Sequence, residues 1–183
     1  MIHSNGIKIN GSVNVIRPNI RVFNGVIHVV DKVISIPTVV THAVANPNFT
    51  SLVAALTRQG NTTDFVSVLS SNGPFTVFAP TNDAFGSLLT ELNTTFGAIP
   101  EPVLDKVLKY HVVAGNVRST DLPASGSVIP TIAGNTPGTS FTLLTSPTIR
   151  LKDANNRECP IIATDVQASN GVIHVLSRVL LPN

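Results

Sequence analysis

The sequence has few of the residues that several protein classes need. Its 183 residues include a single cysteine, Cys159, so no disulfide forms within the chain and the fold depends on packing. Tryptophan is absent, tyrosine occurs once, and charged residues make up only 12% of the chain, with lysine and arginine scattered along it. Nucleic-acid binding requires clustered positive charge, often interleaved with aromatic side chains. The composition therefore argues against a nucleic-acid partner.

Long apolar runs are missing too. No stretch reaches the roughly 18 consecutive apolar residues of a membrane-spanning helix, so we expect no membrane span. Met1 to Asn5 lack the basic start and the apolar core of a signal peptide. If the protein is secreted, we expect its export signal to lie upstream of Met1. Hydrophobic residues still make up 43% of the chain, which is enough to bury a core.

Catalytic and metal-binding motifs are also absent. Asp and Glu total ten and are dispersed, and no nucleophile elbow, phosphate loop or HExxH pattern occurs. Asn82 and Asp83 follow a predicted strand, where helix capping explains them. His28 and His174 have no further ligand at metal-site spacing, so we interpret both as structural. The sequence predicts no enzyme, no cofactor and no metal site.

An internal repeat is the clearest feature that is present. Asn24 to Pro37 recurs as Asn170 to Pro182, and both copies begin with Asn-Gly-Val-Ile-His-Val. A proline ends each copy, as expected where a strand ladder stops. We therefore predict that residues 1–37 are the C-terminal tail of a preceding repeat and that residues 38–183 are a complete domain.

Within residues 38–183, predicted helices come first and strands later. Apolar periodicity predicts helices over 39–58, with a break at Asn46-Pro47-Asn48, over 64–71, after Thr81 and over 102–110. This order predicts an α+β fold with a largely antiparallel sheet. The predicted strands are 75–79, 112–113, 117–118, 128–129, 141–144, 149–151, 161–164 and 172–180.

Three blocks, in order along the chain, resemble the motifs of the fasciclin (FAS1) domain family. Thr76 to Phe85 resembles its first signature, Tyr110 to Val113 its Tyr-His motif, and Asn170 to Leu176 its second signature. Asn24 to Val30 resembles the second signature of a preceding repeat. The resemblance covers essentially all of residues 38–183. It implies a wedge of mainly antiparallel strands with helices packed around it, in a protein that carries such modules in tandem.

The resemblance also implies a function. We expect an extracellular, secreted or cell-surface adhesion module that binds a protein partner, the extracellular matrix or a polysaccharide. The alternative is a carbohydrate-binding surface protein. Low charge and many hydroxyl and amide side chains allow that alternative, whereas the lack of tryptophan counts against strong stacking on sugars.

The predicted partner-binding residues are Tyr110, His111, Val112 and Val113, because the resemblance implies that the matching segment is linked to integrin binding in animal members. A structural role is the alternative for the first two residues. The Tyr110 ring would then cover the core while its hydroxyl finds a partner. A histidine at a helix C-terminus, as His111 is, is favoured when it is protonated.

The tail at residues 7–36 leads to a separate prediction. It is apolar and lacks the rest of its own module, and an unpaired strand edge invites pairing with another strand. We predict that residues 7–36 fold back on the complete module or exchange between copies in a homodimer.

Overall fold

A computed structural model describes residues 6–10 and 13–183 of the chain. The stretch Met1 to Asn5, in which the sequence shows no signal peptide, lies outside the described residues. The chain divides into two compact units, Met1–Pro37 and Thr38–Asn183. Across the residues that the structure describes, every helix is too short or too polar to cross a membrane.

The first unit is a three-stranded antiparallel sheet in the order β1-β2-β3. Its strands are β1 (Lys8–Ile9), β2 (Val13–Val22) and β3 (Gly25–Val30). The Asp31 carboxylate accepts hydrogen bonds from the Asn14 side chain at 2.7 Å and from its backbone N–H at 2.8 Å, which lowers the pKa of Asp31. This contact joins the end of β3 to the start of β2. Within this unit β3 is an edge strand.

The second unit begins with helices that the sequence marks by capping residues. Thr38, Asp64 and Thr81 each accept a hydrogen bond at a helix N-terminus. The predicted break after α1 is present, because the Asn46 side chain accepts from the Asn48 N–H at 3.0 Å and a short 3₁₀ turn follows. The helices are α1 (Val39–Ala45), α2 (Thr50–Leu56), α3 (Phe65–Ser70), α4 (Asn82–Glu91) and α5 (Glu101–Tyr110).

Seven strands form the sheet of the second unit, in the order β5-β4-β10-β9-β8-β7-β6. Only β4 and β10 pair in parallel, so the predicted α+β fold with a mainly antiparallel sheet is confirmed. Ile132 N–H donates to the Val112 carbonyl at 2.9 Å, which brings the chain after β6 to the β5 edge and almost closes the sheet. The strands are β4 (Phe75–Pro80), β5 (Val112–Ala114), β6 (Val128–Pro130), β7 (Ser140–Leu144), β8 (Arg150–Lys152), β9 (Glu158–Ala168) and β10 (Gly171–Leu176).

The predictions for residues 117–118 and for Asn82 were wrong, both because a long-range partner overrides the local pattern. Residues 117–118 form no strand, since the Val117 N–H donates to the Thr76 hydroxyl and the Val117 carbonyl accepts from His174. Asn82 does not cap its own helix. Its side chain accepts from the Ser51 N–H at 2.9 Å and donates to the Pro47 carbonyl at 2.9 Å, so it caps α2.

The core consists of two apolar clusters, and the central strands β4 and β10 contribute to both. Val77, Ala79 and Ile173 pack in the cluster that includes α1 to α5. Phe78 and Leu176 pack in the other, with residues of β7, β8 and β9. Burial on both faces explains why these strands are almost continuously apolar, a pattern that parallel strands share.

Candidate functional site

Tyr110 lies in the core of the second unit. Its hydroxyl donates to the Ser140 carbonyl at 2.7 Å and accepts from the Ala154 N–H at 3.1 Å. Its ring meets Phe141 edge to face at 5.9 Å, a favourable geometry for aromatic pairs. Burial raises the pKa of Tyr110 to about 12. The single tyrosine therefore links the end of α5 to the start of β7 and to the turn after β8.

His111 follows α5 and is also buried. Its Nε2 accepts from the Leu180 N–H at 3.0 Å, so Nδ1 carries the proton and donates to the Val107 carbonyl at 2.7 Å. Burial lowers the pKa of His111 to about 4. The ring is therefore neutral and fixes the C-terminal segment against α5, which differs from the protonated helix-end histidine expected from the sequence.

Val112 and Val113 begin β5 and pair with Val77 and Thr76 of β4. Both valines are buried, one in each apolar cluster, whereas Ala114 beside them is exposed. The structure therefore places Tyr110 to Val113 together in the packed interior. A partner would contact their side chains only if the β5 edge opened.

His174, in the second signature, lies buried on β10. Its ring stacks on Phe78 at 5.4 Å, and Nε2 donates to the Val117 carbonyl at 2.9 Å. Nδ1 has no hydrogen-bond partner among the described residues. Over residues 6–10 and 13–183, no group of three His, Cys, Asp or Glu side chains is placed to hold a metal. The Cys159 thiol is buried as well, and burial raises its pKa to about 12.

Asp153 is a buried carboxylate that the sequence analysis missed. It accepts from the N–H groups of Asn155, Arg157 and Leu181 and pairs with the Arg157 guanidinium at 3.0 Å. Arg157 also lies 3.2 Å from Glu91, and its charge lowers the pKa of that carboxyl. Since every partner is internal, this network anchors the C-terminal segment. No local motif in the sequence marks it.

A cleft between α1, α2 and α3 opens outward in the second unit and has an almost entirely apolar lining. It encloses a cavity of about 130 Å³. Phe65, Leu69 and Ile173 lie at its buried end, while Val44 and Val66 line it from exposed positions. Engineered apolar cavities of about this size stay dry and bind small apolar groups. The cleft therefore suits an apolar group that is inserted from outside.

Sequence reasoning missed this cleft because apolar periodicity predicts a helix but does not show whether its apolar face fills a core or lines a cavity. Helical spacing alone predicts that Phe65, Val68 and Leu69 share one face of α3. Val68 is instead 36% exposed and does not line the cleft, while Val66, 38% exposed, does. In a helix of only six residues, tertiary packing rather than local periodicity decides which side chains are buried.

Comparison with known proteins agrees with this fold. The fasciclin domain model matches residues 47–182. The chain belongs to the fasciclin domain family. Protein sll1483 of Synechocystis is 40% identical over 149 residues, which cover 79% of this chain and 73% of that protein.

Other fasciclin relatives are much longer than this chain. A fasciclin-like arabinogalactan protein of Arthroderma benhamiae is 34% identical over 178 residues, which cover 96% of this chain but 38% of that protein. Human periostin is 30% identical over 193 residues, which cover 99% of this chain and 20% of periostin. This chain therefore spans well under half of these relatives.

A solved fasciclin structure shares the fold. It is a domain pair from the insect cell adhesion molecule Fasciclin I, with a TM-score of 0.65 and 19% identity, covering 94% of this chain and 61% of that one. The likeness shows the architecture, and the resemblance of the three sequence blocks to the fasciclin family is confirmed.

Proposed function

We propose that this fasciclin protein is an extracellular or cell-surface adhesion module that binds a protein partner through the cleft between α1, α2 and α3. The observation that carries the proposal is the cleft itself: an apolar cavity of about 130 Å³ next to exposed valines. The likeness of the chain to a domain pair from a cell adhesion molecule also favours binding over catalysis. The internal partners of the buried ionisable groups favour it too.

The chemistry of the cleft selects the kind of ligand. Thr57 is its only lining residue with a polar side chain, so it offers little hydrogen bonding to a sugar and no tryptophan on which a sugar ring could stack. An aliphatic or aromatic side chain of a protein partner would instead fill it as an anchor, as buried anchors do at many interfaces. The cleft therefore favours a protein partner over the carbohydrate alternative.

Two valines on α3 provide a matched test. Val66→Asp places a charge in the cleft, and we expect it to reduce adhesion of cells or matrix proteins to the immobilised protein by at least about tenfold. Val68→Asp changes a residue of similar exposure on the same helix outside the cleft, and we expect adhesion to be retained. Equal binding by both variants, at unchanged melting temperature, would contradict the proposal. Hits on a glycan array that survive Val66→Asp would favour the carbohydrate alternative.

The partner-binding role of Tyr110, His111, Val112 and Val113 stays a prediction. Because these side chains are buried, we propose that contact would proceed through opening of the β5 edge. Hydrogen exchange of Val112 and Val113, with and without the matrix protein that supports the strongest adhesion, tests this. Changed exchange at these amides supports contact, and unchanged exchange during saturating binding opposes it.

Homodimer formation through residues 7–36 also stays a prediction. Exposed apolar residues on β3, among them Val26 and Ile27, favour it. Sedimentation over a wide concentration range checks it: a mass that stays monomeric throughout would exclude this dimer.

A further inference from the structure

The cleft between α1, α2 and α3 continues into a second, more open groove between α1 and α2. Four residues line both of them, namely Ala43, Val44, Val53 and Thr57. The groove adds two polar side chains, those of Asn46 and Thr50. Because the cleft and the groove are continuous, one ligand can place an apolar end in the cleft and a polar end in the groove.

The buried end of the cleft offers nothing to a polar group. Phe65, Leu69 and Ile173, which lie there, are each exposed by 2% or less. The one hydroxyl in the lining, on Thr57, already donates to the Val53 carbonyl at 2.8 Å. A polar group inserted to this depth would give up its hydrogen bonds to water without gaining others. The inserted end must therefore be wholly apolar.

The size of the cleft selects a single ring. Its cavity of about 130 Å³ is close to the engineered cavity of about 150 Å³ that binds benzene. Two phenylalanine rings, Phe49 and Phe65, line it, and aromatic rings attract one another beyond the area that they bury. A phenyl group therefore fits the cleft, whereas an indole is larger and carries an N–H that needs an acceptor.

The groove offers two free hydrogen-bond donors. Asn46 Oδ1 accepts from the Asn48 N–H at 3.0 Å, and the Asn46 Nδ2 has no partner among the described residues. The Thr50 hydroxyl has none there either, and Thr50 is exposed. Both groups can donate to a carbonyl oxygen. Within the part of the chain that the structure describes, the lining of cleft and groove is uncharged, so an uncharged carbonyl suits it.

We propose that the cleft and the groove together recognise a phenylalanine of the protein partner. Its ring fills the cleft, and its backbone carbonyl accepts from the Asn46 Nδ2 and the Thr50 hydroxyl. The polypeptide backbone supplies such an uncharged carbonyl beside every side chain. Tyrosine is rejected, because its hydroxyl would be buried without a partner. The inference rests on the proposed function, since it names the residue that the adhesion partner inserts.

Titration of the full chain with N-acetylphenylalaninamide, a single phenylalanine with uncharged ends, tests this recognition directly. We expect saturable NMR shifts of the Leu69 and Ile173 methyl groups, with a Kd of about 1 mM or tighter. N-acetyltyrosinamide should bind at least about tenfold more weakly, and N-acetylalaninamide should leave both methyl groups unshifted. Absence of shifts with the phenylalanine probe, or equal affinity for the tyrosine probe, would overturn the proposal.

Thr50→Val keeps the shape of the side chain and removes the hydroxyl that the carbonyl would meet. The affinity for N-acetylphenylalaninamide should fall by about threefold or more. Toluene, which has the ring but no carbonyl, should bind the wild type and the variant equally. Equal changes with both probes, or no change with either, would contradict the role of the groove.

Adhesion in the presence of the probe separates this inference from the proposed function. If the wild type adheres and Val66→Asp does not, N-acetylphenylalaninamide at about ten times its Kd should weaken wild-type adhesion about tenfold. Unchanged adhesion would overturn the phenylalanine anchor and leave the cleft as the adhesion site. If Val66→Asp adheres as the wild type does, the proposed function fails, and the titration still decides whether the cleft and groove select phenylalanine.

Discussion

Two strands of this protein share five consecutive residues, follow the same Asn and have the same hairpin register, yet their surroundings differ. Gly171–Leu176 lies between β4 and β9 in the middle of a seven-stranded sheet and is almost entirely buried. Within residues 6–10 and 13–183, Gly25–Val30 pairs only with β2, and it is almost entirely exposed. The difference teaches that this sequence specifies the hairpin locally, whereas the roles of its asparagine, glycine and histidine depend on contacts with α1, α3 and β4.

The largest expected difference between the two strands concerns their glycines. Gly171→Ala should lower the free energy of unfolding of residues 38–183 by about 4 kcal/mol or prevent folding, because its Cβ would clash with the Phe75 carbonyl. Gly25→Ala should change stability by less than about 0.5 kcal/mol. Urea unfolding followed by circular dichroism measures both, and equal losses would remove the contrast between the strands.

Acid should destabilise the second unit through His111, which has no counterpart in the first. The pKa of His111 falls from its ordinary 6.5 to about 4 on folding. Between these two pH values, the unfolded chain binds a proton at His111 that the folded chain does not bind. The contribution of neutral His111 to the free energy of unfolding is therefore fully present above pH 6.5. It is lost as the pH falls towards about 4, and the loss is about 3 kcal/mol.

Urea unfolding of the wild type and of His111→Gln across this pH range isolates the effect. The variant should be less stable near neutral pH but should lose less stability on acidification. Parallel pH profiles for the two proteins would show that His111 is not the group responsible.

The repeated histidines should differ slightly less. His174→Ala removes a buried ring that stacks on Phe78 and donates to Val117, and should cost roughly 2–3 kcal/mol. His28→Ala, on the exposed strand, should cost less than about 0.5 kcal/mol. Elemental analysis accompanies the unfolding measurements, since a stoichiometric metal lost from His174→Ala would contradict the structural interpretation.

The smallest expected contrast is between the repeated asparagines. Asn170→Ala leaves the α1 and α3 ends without their shared partner and should cost about 2 kcal/mol. Asn24→Ala should be neutral in the free chain. Urea unfolding of both variants measures the contrast, and equal losses would show that the helix-end contacts of Asn170 do not stabilise the domain.

Sequence reasoning succeeded where the signal is local. The helix break at Asn46-Pro47-Asn48 and the helix start after Thr81 depend on neighbouring residues, and both are present. It failed where a distant segment supplies the partner. Asn82 caps α2, and Val117 bonds Thr76 and His174 instead of joining a ladder.

The candidate site shows the same division. The motif that resembles the fasciclin family predicts Tyr110 as a partner-binding residue. Only the structure shows that its hydroxyl donates to the Ser140 carbonyl and accepts from the Ala154 N–H. The cleft could not be found from sequence, because periodicity does not distinguish a residue that fills a core from one that lines a cavity. Val66 and Val68 illustrate this, since packing alone separates their roles.

The sequence by itself determined the family, the α+β order of elements and the equivalence of the two hairpins, since each follows from contiguous residues. Tertiary structure alone decided that β4 and β10 pair in parallel, that His111 is held neutral, and that one copy of Asn-Gly-Val-Ile-His-Val is a core strand while the other is an edge. The physical reason is that burial and hydrogen-bond partners come from segments far apart in the chain, so identical residues acquire different roles where those partners differ.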